Sequence, residues 1–231
     1  ELYYCNDFND FSFLSQLPNL ESLTLRNANL DNFTWLSGCD KLTSFRVFNS
    51  NVSSWDGMEQ AKNLTSLSLG VVDLSSCEFM KNMQGLETLT IEREQNFTDI
   101  EPLSGLENLK DIRLYSTGVS DEDKWNFEKI PDEVTMNPGD TVSVLKYDGL
   151  IDIKMNILEG SDLVTTRDGS RSSIAALKSG NAKVQVVYEG DDKQFSKEII
   201  IHINENKDQS LGEEYKGEAE IKKPYTEDGD D

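Results

Sequence analysis

The stretch Leu86-Glu87-Thr88-Leu89-Thr90-Ile91 is one copy of a phrase that the chain repeats five times. Each copy places apolar residues at its first, fourth and sixth positions. The copies are 20–25, 42–47, 64–69, 86–91 and 109–114, and their leading leucines lie 22, 22, 22 and 23 residues apart. A fixed period of this length predicts a stacked-repeat architecture.

Four further apolar positions recur behind each predicted strand. They are Phe8, Leu30, Val52, Leu74 and Phe97; Phe11, Phe33, Trp55, Cys77 and Ile100; Leu14, Leu36, Met58, Met80 and Leu103; and Leu17, Cys39, Ala61, Met83 and Leu106. Stacked coils need such columns to bury a continuous core between neighbours. Cys39 and Cys77 are therefore predicted to be core residues. The pattern extends back over residues 1–19 as a partial repeat, and the extra residue of the fourth repeat is predicted in the turn 92–96.

The segment 97–109, Phe-Thr-Asp-Ile-Glu-Pro-Leu-Ser-Gly-Leu-Glu-Asn-Leu, resembles the leucine-rich repeat of bacterial internalins. The resemblance covers roughly residues 1–130, and we place the end of this domain at residue 131. It implies an α/β-type solenoid with a parallel sheet on its concave face and an irregular or 3-10 convex side, used to bind proteins or glycans. Trp125, Phe127 and Ile130 are predicted to cap the last coil.

From about Glu133 the period gives way to short alternating runs separated by turn residues, which are typical of strands. The predicted strands are 134–136, 141–147, 151–158, 172–177, 184–188 and 195–203, and they predict an all-β sandwich over residues 132–205. The phrases 137–141, 173–177 and 178–184 are similar to bacterial immunoglobulin-like domains, which implies a spacer on a cell-surface protein. Residues 206–231 are polar and acidic and are predicted to form a linker or tail, with a short strand around Ala219–Ile221 as an alternative.

The composition excludes several classes of function. A formal net charge of −21 and a pI near 4.3 argue against binding to nucleic acid or to an anionic membrane surface. No run of about 18 apolar residues is present to cross a bilayer. Three cysteines cannot form a complete disulfide framework. The compartment, extracellular or the bacterial cell surface, is implied by the paired resemblances and not by the cysteines.

No constellation in the sequence points to catalysis. The single histidine, His202, alternates with Ile201 and Ile203 and is predicted to face solvent. Phosphate-binding, dinucleotide, zincin and Cys-x-x-Cys motifs are absent from the sequence. The acidic turns 121–123 and 228–231 could hold a calcium ion, but solvated carboxylates are the favoured interpretation. We therefore predict no enzyme activity, no cofactor and no metal.

Residues that alternate with the buried leucines are expected on the open concave surface. One outward row is predicted as Leu2, Thr24, Arg46, Ser68, Thr90 and Arg113, and the next as Tyr4, Arg26, Phe48, Gly70, Glu92 and Tyr115. Aromatic residues and arginine carry most of the energy of protein interfaces. The predicted binding patch is therefore Tyr4, Arg26, Arg46, Phe48, Arg113 and Tyr115, and its arginines would attract a carboxylate-bearing partner.

These features favour a monomeric, extracellular or cell-surface binding and adhesion protein that docks a protein or glycan on its concave face. The alternative is a structural module that only stiffens a larger bacterial surface protein, with the binding site elsewhere.

Overall fold

A computed structural model describes residues 1–5, 7 and 10–205. The strands of its first part are β1 (Leu2–Tyr3), β2 (Ser22–Arg26), β3 (Asn29–Leu30), β4 (Ser44–Phe48), β5 (Asn51–Val52), β6 (Ser66–Gly70), β7 (Thr88–Glu92) and β8 (Asp111–Tyr115). Six of them form a parallel sheet in the order β1-β2-β4-β6-β7-β8. The two shorter strands β3 and β5 pair with each other beside it. Each five-residue strand contains the second half of one repeated phrase, as the sequence predicts.

The strands stack in exact repeat register. Leu23 pairs with Phe45, Phe45 with Leu67, Leu67 with Leu89, and Leu89 with Ile112. All five side chains are buried, with at most 3% exposed. Because one face of every strand is sealed by its neighbours, the chain forms a leucine-rich-repeat solenoid. The repeat prediction is confirmed.

Short 3-10 turns form the opposite, convex side, at Ser12–Gln16, Thr34–Gly38, Met58–Gln60, Glu78–Met80 and Glu101–Leu103. The predicted apolar columns are buried there, except for half-buried Val52 and Trp55 and for Leu17, which is 43% exposed. Phe8 lies outside the described residues. Cys39 and Cys77 are buried, and burial raises the pKa of the Cys77 thiol to about 12, so this thiol stays protonated.

The residue after each strand of the six-stranded sheet adopts left-handed backbone geometry. Its positions are Tyr4, Asn27, Asn49, Val71, Arg93 and Ser116, with φ between 49° and 59°. The Tyr4 N–H donates to the Arg26 carbonyl just as the Asn27 N–H donates to the Phe48 carbonyl. Tyr4 therefore occupies the turn and not the strand.

This corrects the predicted register of the first coil. Leu2 pairs with Leu25, and Tyr3 pairs with Arg26. The step between β1 and β2 is thus 23 residues instead of 22. A comparison of apolar spacing alone therefore places the residues of β1 one position away from their true partners on β2. Leu2 is not in the row of Thr24, and Tyr4 is not in the row of Arg26.

A buried carboxylate supports the longer fourth repeat. Glu94 is 3% exposed, and its Oε1 and Oε2 accept the backbone N–H groups of Val72 and Leu74 at 2.6 and 2.8 Å. In the second full coil, Ser50 has the corresponding role, because its Oγ accepts the Ala28 N–H at 3.1 Å. The extra residue therefore falls in the predicted turn, where a side chain satisfies two backbone donors of the coil before it.

We expect Glu94→Gln to lower the free energy of unfolding by about 2 kcal/mol, because the two N–H groups are accepted by different oxygens, and the amide NH2 that replaces one oxygen leaves its N–H group buried and unpaired. Chemical denaturation of the whole chain would measure this loss. Glu92→Gln is the matched control, since it removes the same charge from a half-buried carboxylate without a backbone partner among the described residues. Equal stability of the two variants would contradict the assigned role of Glu94.

Residues 133–203 form two β-sheets. Their strands are β9 (Glu133–Met136), β10 (Thr141–Ser143), β11 (Ile153–Glu159), β12 (Val164–Arg167), β13 (Ser173–Ala176), β14 (Gly180–Glu189) and β15 (Gln194–Ile203). One sheet has the order β10-β13-β12 and the other β11-β14-β15-β9, with antiparallel pairs except for β15 with β9. The sequence reading missed β12, whose Val-Thr-Thr-Arg carries a single fully buried residue, Val164. The predicted tail, including 219–221 and 228–231, lies outside the described residues.

Helix α1 (Asp121–Glu128) joins the two parts. The Ser120 Oγ accepts the Asp123 N–H at 3.1 Å and so caps the helix, which explains why the acidic run 121–123 lies in a first turn. Phe127 and Ile130 are buried as predicted. Trp125 instead stacks on Tyr188 and Phe195 of the second part, with ring centroids 6.3 and 5.8 Å apart.

The second part also closes the free edge of the solenoid sheet. The Ile112 N–H donates to the Asp148 carbonyl at 2.8 Å, and the Asp148 N–H donates to the Lys110 carbonyl at 2.6 Å. Glu128 Oε2 accepts the N–H groups of Lys146 and Tyr147 at 2.7 and 3.1 Å. We call this junction of β8, α1 and residues 144–152 the seam.

Candidate binding surface

The concave face is formed by the strand residues that alternate with the buried core residues. On β2, β4 and β6 these are Ser22, Thr24, Arg26, Ser44, Arg46, Phe48, Ser66, Ser68 and Gly70; on β7 and β8 they are Thr88, Thr90, Glu92, Asp111, Arg113 and Tyr115. On β2, β4 and β6, five of the nine residues carry short hydroxyl side chains, so the three large side chains, Arg26, Arg46 and Phe48, stand above a level surface. The arrangement is rigid, because β2, β4, β6 and β7 are each paired with a strand on both sides, and β8 is paired with β7 on one side and bridged to Asp148 on the other.

Arg26 and Phe48 form the largest raised feature at the N-terminal half of this face. They are register partners on β2 and β4, and the Arg26 guanidinium lies over the Phe48 ring at 5.0 Å from its centroid. This cation–π contact orients the guanidinium while leaving its hydrogen-bond donors exposed.

Gly70 makes room for the Phe48 ring. A Cβ at residue 70 would lie 2.9 Å from Phe48 Cδ1 and 2.6 Å from Glu92 Cγ. The ring and the Glu92 side chain therefore approach each other above the bare backbone of β6. Sequence reasoning placed Gly70 in the correct row but did not identify this role, which depends on a packing distance.

Arg46 stands beside this pair. It is exposed and is the register partner of Thr24, two residues before Phe48 on the same strand. Diagonal neighbours on adjacent strands are about 7–8 Å apart, so Arg26 and Arg46 can approach one bound group together. Neither arginine has an ion-pair partner within the described part of the chain.

At the C-terminal half of the face, the charge of Arg113 is neutralised by an ion pair. The Arg113 Nη2 donates to Asp111 Oδ2 at 2.7 Å, an i,i+2 pair on one face of β8. Its side chain also packs near Gly149 of the seam, where an added Cβ would lie 3.1 Å from Arg113 Cγ. Tyr115 is 53% exposed on the same strand. Arg113 thus belongs to the support of the seam as well as to the surface.

Of the six predicted patch residues, five are brought onto the concave strands and one is not. Arg26, Phe48 and Arg46 form one group, while Arg113 and Tyr115 lie on β8, three strands beyond β4. Tyr4 is 82% exposed but lies in the left-handed turn that follows β1. Its predicted place in the Arg26 row is wrong for the reason of register given above.

Two polar grooves lie outside the concave face. One, of about 570 Å³, runs over the turns after β4, β6 and β7 and is lined by residues such as Asn51, Asp73 and Arg93. The other, of about 600 Å³, lies in the second part and is lined by residues such as Lys154, Arg167 and Asp168. In the first groove Arg93 is accompanied by Asp73 and Glu94, and the second has three cations and three carboxylates, so neither groove gathers an excess of positive charge.

The described residues contain no group of three or more His, Cys, Asp and Glu side chains that could hold a metal ion. His202 is partly exposed and lies 2.9 Å from the Asn181 amide oxygen and 3.7 Å from Glu133. Asp121 accepts hydrogen bonds from the Tyr188 hydroxyl at 2.7 Å and the Asp191 N–H at 2.6 Å. In the acidic run 121–123, Asp121 therefore contributes to the contact between the two parts of the chain.

Within the described residues, no helix has the length and apolar character needed to cross a membrane. No protein-family model matches the chain, and no curated protein matches it.

Among solved structures the chain is similar to three proteins of Listeria monocytogenes. Internalin C2 is 23% identical over 49% of this chain and 50% of that one, with a TM-score of 0.42. Internalin InlF is 19% identical over 50% of this chain and 40% of that one, with a TM-score of 0.38. The functional domain of InlJ is 11% identical over 83% of this chain and 59% of that one, with a TM-score of 0.37.

The matched region thus spans 40–59% of the length of these three structures. The assignment of this chain to leucine-rich-repeat architecture stands on its own strand register and burial.

Proposed function

We propose that this protein is a non-enzymatic binding protein of internalin type, displayed outside a bacterial cell, whose concave face docks a partner protein. The observation that carries the proposal is the group Arg26, Phe48 and Arg46. It places an oriented guanidinium, an aromatic ring and an uncompensated cation on rigid strands within a surface of small hydroxyl residues. Such residues supply most of the energy of protein interfaces.

The second part acts in this proposal as an immunoglobulin-like spacer. Its seven strands in two sheets, with β9 parallel to β15, support that assignment. The seam fixes the spacer to the solenoid through backbone pairing, stacked rings and buried hydrogen bonds, so the concave face would be presented at a defined angle.

The proposal is tested by measuring how the purified chain binds to surface-protein extracts, with and without protease treatment of the extracts. We expect Phe48→Ala/Tyr115→Ala to weaken protease-sensitive binding by roughly 30-fold or more, since one interface hot spot contributes about 2 kcal/mol. The matched control is Leu158→Ala/Leu177→Ala, which removes two apolar side chains of the second part that are 46% and 50% exposed. Thermal unfolding of both variants would verify that they remain folded.

Two outcomes would contradict docking on the concave face. If the parent binds and the concave variant binds equally well, the binding surface lies elsewhere. If the parent binds no surface protein, the purely structural role is favoured, in which the repeats and their fixed spacer stiffen a larger surface protein.

A further inference from the structure

The charge on the concave face is opposite to the charge on the whole chain. The protein has a formal net charge of −21. Yet the nine outward residues of β2, β4 and β6 include two arginines and no carboxylate. Carboxylates return only on β7 and β8, with Glu92 and Asp111. The uncompensated positive charge is therefore confined to the first half of the face.

The surroundings of the two arginines are suited to a small anionic group. Arg26 is exposed, and its guanidinium is held over the Phe48 ring at 5.0 Å from the centroid. Ser44, Ser66 and Ser68 are half-buried beside Arg46, and their hydroxyls can donate further hydrogen bonds. A carboxylate accepts about four hydrogen bonds, and a planar guanidinium can satisfy two of them at once.

The acidity of the rest of the chain limits what can carry that anion. A polyanion such as a sulfated glycan or a nucleic acid would be repelled over most of its length by the remaining surface. A protein segment with one or two carboxylates meets the local cations without that penalty. The half-buried Phe48 ring offers an adjoining apolar contact.

From these observations we infer that Arg26 and Arg46 form an anion subsite that selects a partner protein segment with one or two carboxylates beside an aromatic or aliphatic side chain. The inference rests on the proposed function and names the chemistry of the partner. Tyr3, which is the register partner of Arg26 on β1 and donates its hydroxyl hydrogen to Glu1, borders the subsite on one side.

Selection from a random peptide library displayed on phage, with the whole chain as the target, tests the inference. Overall acidity alone would enrich Lys- and Arg-rich peptides, whereas the subsite would enrich peptides with Asp or Glu next to an apolar residue. The probes are synthetic versions of the enriched peptides. Each is paired with a control peptide in which Asn replaces Asp and Gln replaces Glu. Heparin serves as a polyanion probe.

We expect Arg26→Gln/Arg46→Gln to weaken the binding of the carboxylate peptides roughly 10- to 100-fold. The amide peptides should bind the parent protein as weakly as the carboxylate peptides bind this variant. The matched control is Arg167→Gln/Lys178→Gln, which removes two exposed cations of the second part and changes the net charge by the same amount. Unchanged binding by this control separates the local subsite from long-range attraction.

The remaining outcomes overturn the subsite or its proposed ligand alone, or the subsite together with the proposed function. Peptides that depend on Phe48 and Tyr115 but not on the two arginines would overturn the subsite and leave concave docking intact. Heparin binding that depends on Arg26 and Arg46 would replace the carboxylate peptide with a polyanionic partner. Enrichment of basic peptides only, or of none that responds to any concave substitution, would overturn both the subsite and the proposed function.

Discussion

Replacing Phe33 with alanine is expected to lower the free energy of unfolding by about 3–5 kcal/mol, because it removes a fully buried ring from a core that cannot close around the gap. Phe33 is 0% exposed. Its ring stacks on Trp55 at 5.3 Å and meets Phe45 edge-on at 5.9 Å. Trp55 in turn stacks on Phe79 at 4.6 Å, so the substitution also removes support from the next coil.

The loss can be followed by tryptophan fluorescence during unfolding. Trp35 and Trp55 report on the solenoid by fluorescence, and Trp125 reports on the contact between the two parts. Phe33→Leu retains most of the volume and should cost about 1–2 kcal/mol. Tyr115→Ala, at an exposed site, should change stability by less than about 0.5 kcal/mol. A loss below about 1 kcal/mol for Phe33→Ala would show that the stacked rings do not hold the coils together.

Stability is expected to depend on pH through Glu128. This carboxyl is 1% exposed, and its Oε1 has no hydrogen-bond partner among the described residues. Burial raises its pKa to about 7, although the N–H groups of Tyr147 and Lys146 act in the opposite direction. The charges that face it are Asp148, which raises the pKa further, and Lys146, which lowers it.

The direction of the effect follows from proton binding. Between pH 4.5, the ordinary value, and pH 7 the folded chain holds a proton on Glu128 that the unfolded chain has released. The stabilising contribution is therefore fully present below pH 4.5 and is lost as the pH rises through 7. A shift of this size corresponds to about 3 kcal/mol.

Glu128→Gln removes this titration while it keeps an oxygen for the two N–H groups. We expect the stability of the variant relative to the parent to rise by about 3 kcal/mol between pH 4.5 and pH 8. Denaturant unfolding of both proteins across this range would measure the difference. The difference isolates Glu128, because all other titrating groups are common to both proteins. Asp121 acts at lower pH: burial raises its pKa, but hydrogen bonds from Tyr188, Asp191 and Lys124 outweigh burial and lower it.

A second substitution identifies the origin of the pH dependence. Asp121→Asn should leave the slope between pH 5 and 8 unchanged, because the pKa of Asp121 is held below its ordinary value and the group is ionised throughout that range. If Glu128→Gln and the parent keep a constant difference across the range, Glu128 is ionised in the folded protein and the expected effect is absent.

The repeat architecture could be predicted because every coil repeats the same apolar positions. Leu67, Leu89 and Ile112 each occupy the same place in successive phrases, and burial of all three follows from one pattern. The first coil was misplaced because its register is set by a backbone hydrogen bond from Tyr4 in the turn, and the apolar spacing does not record it. The seam could not be predicted, since Asp148 reaches Ile112 across 36 residues without any repeated signal.

The candidate site was predicted in part for the same reason. Alternation along a strand places Arg26, Arg46 and Phe48 on the open face, and the structure has them there. Alternation does not show that Arg113 is paired with Asp111, although their i,i+2 spacing on one strand was a usable signal. The close approach of Phe48 and Glu92 above Gly70 depends on side-chain conformation, which a sequence pattern does not contain.

The backbone bond between Asp148 and Ile112 also constrains how a protein of this design can change in length. A new coil placed after β8 would compete with residues 146–149 for the backbone donors and acceptors of β8. It would also displace α1 from its contact with the last coil. A duplicated 22-residue coil between β2 and β7 would instead meet neighbours in the register that already exists. Gene duplication can therefore lengthen the solenoid in the middle of the repeat array but not after its last strand.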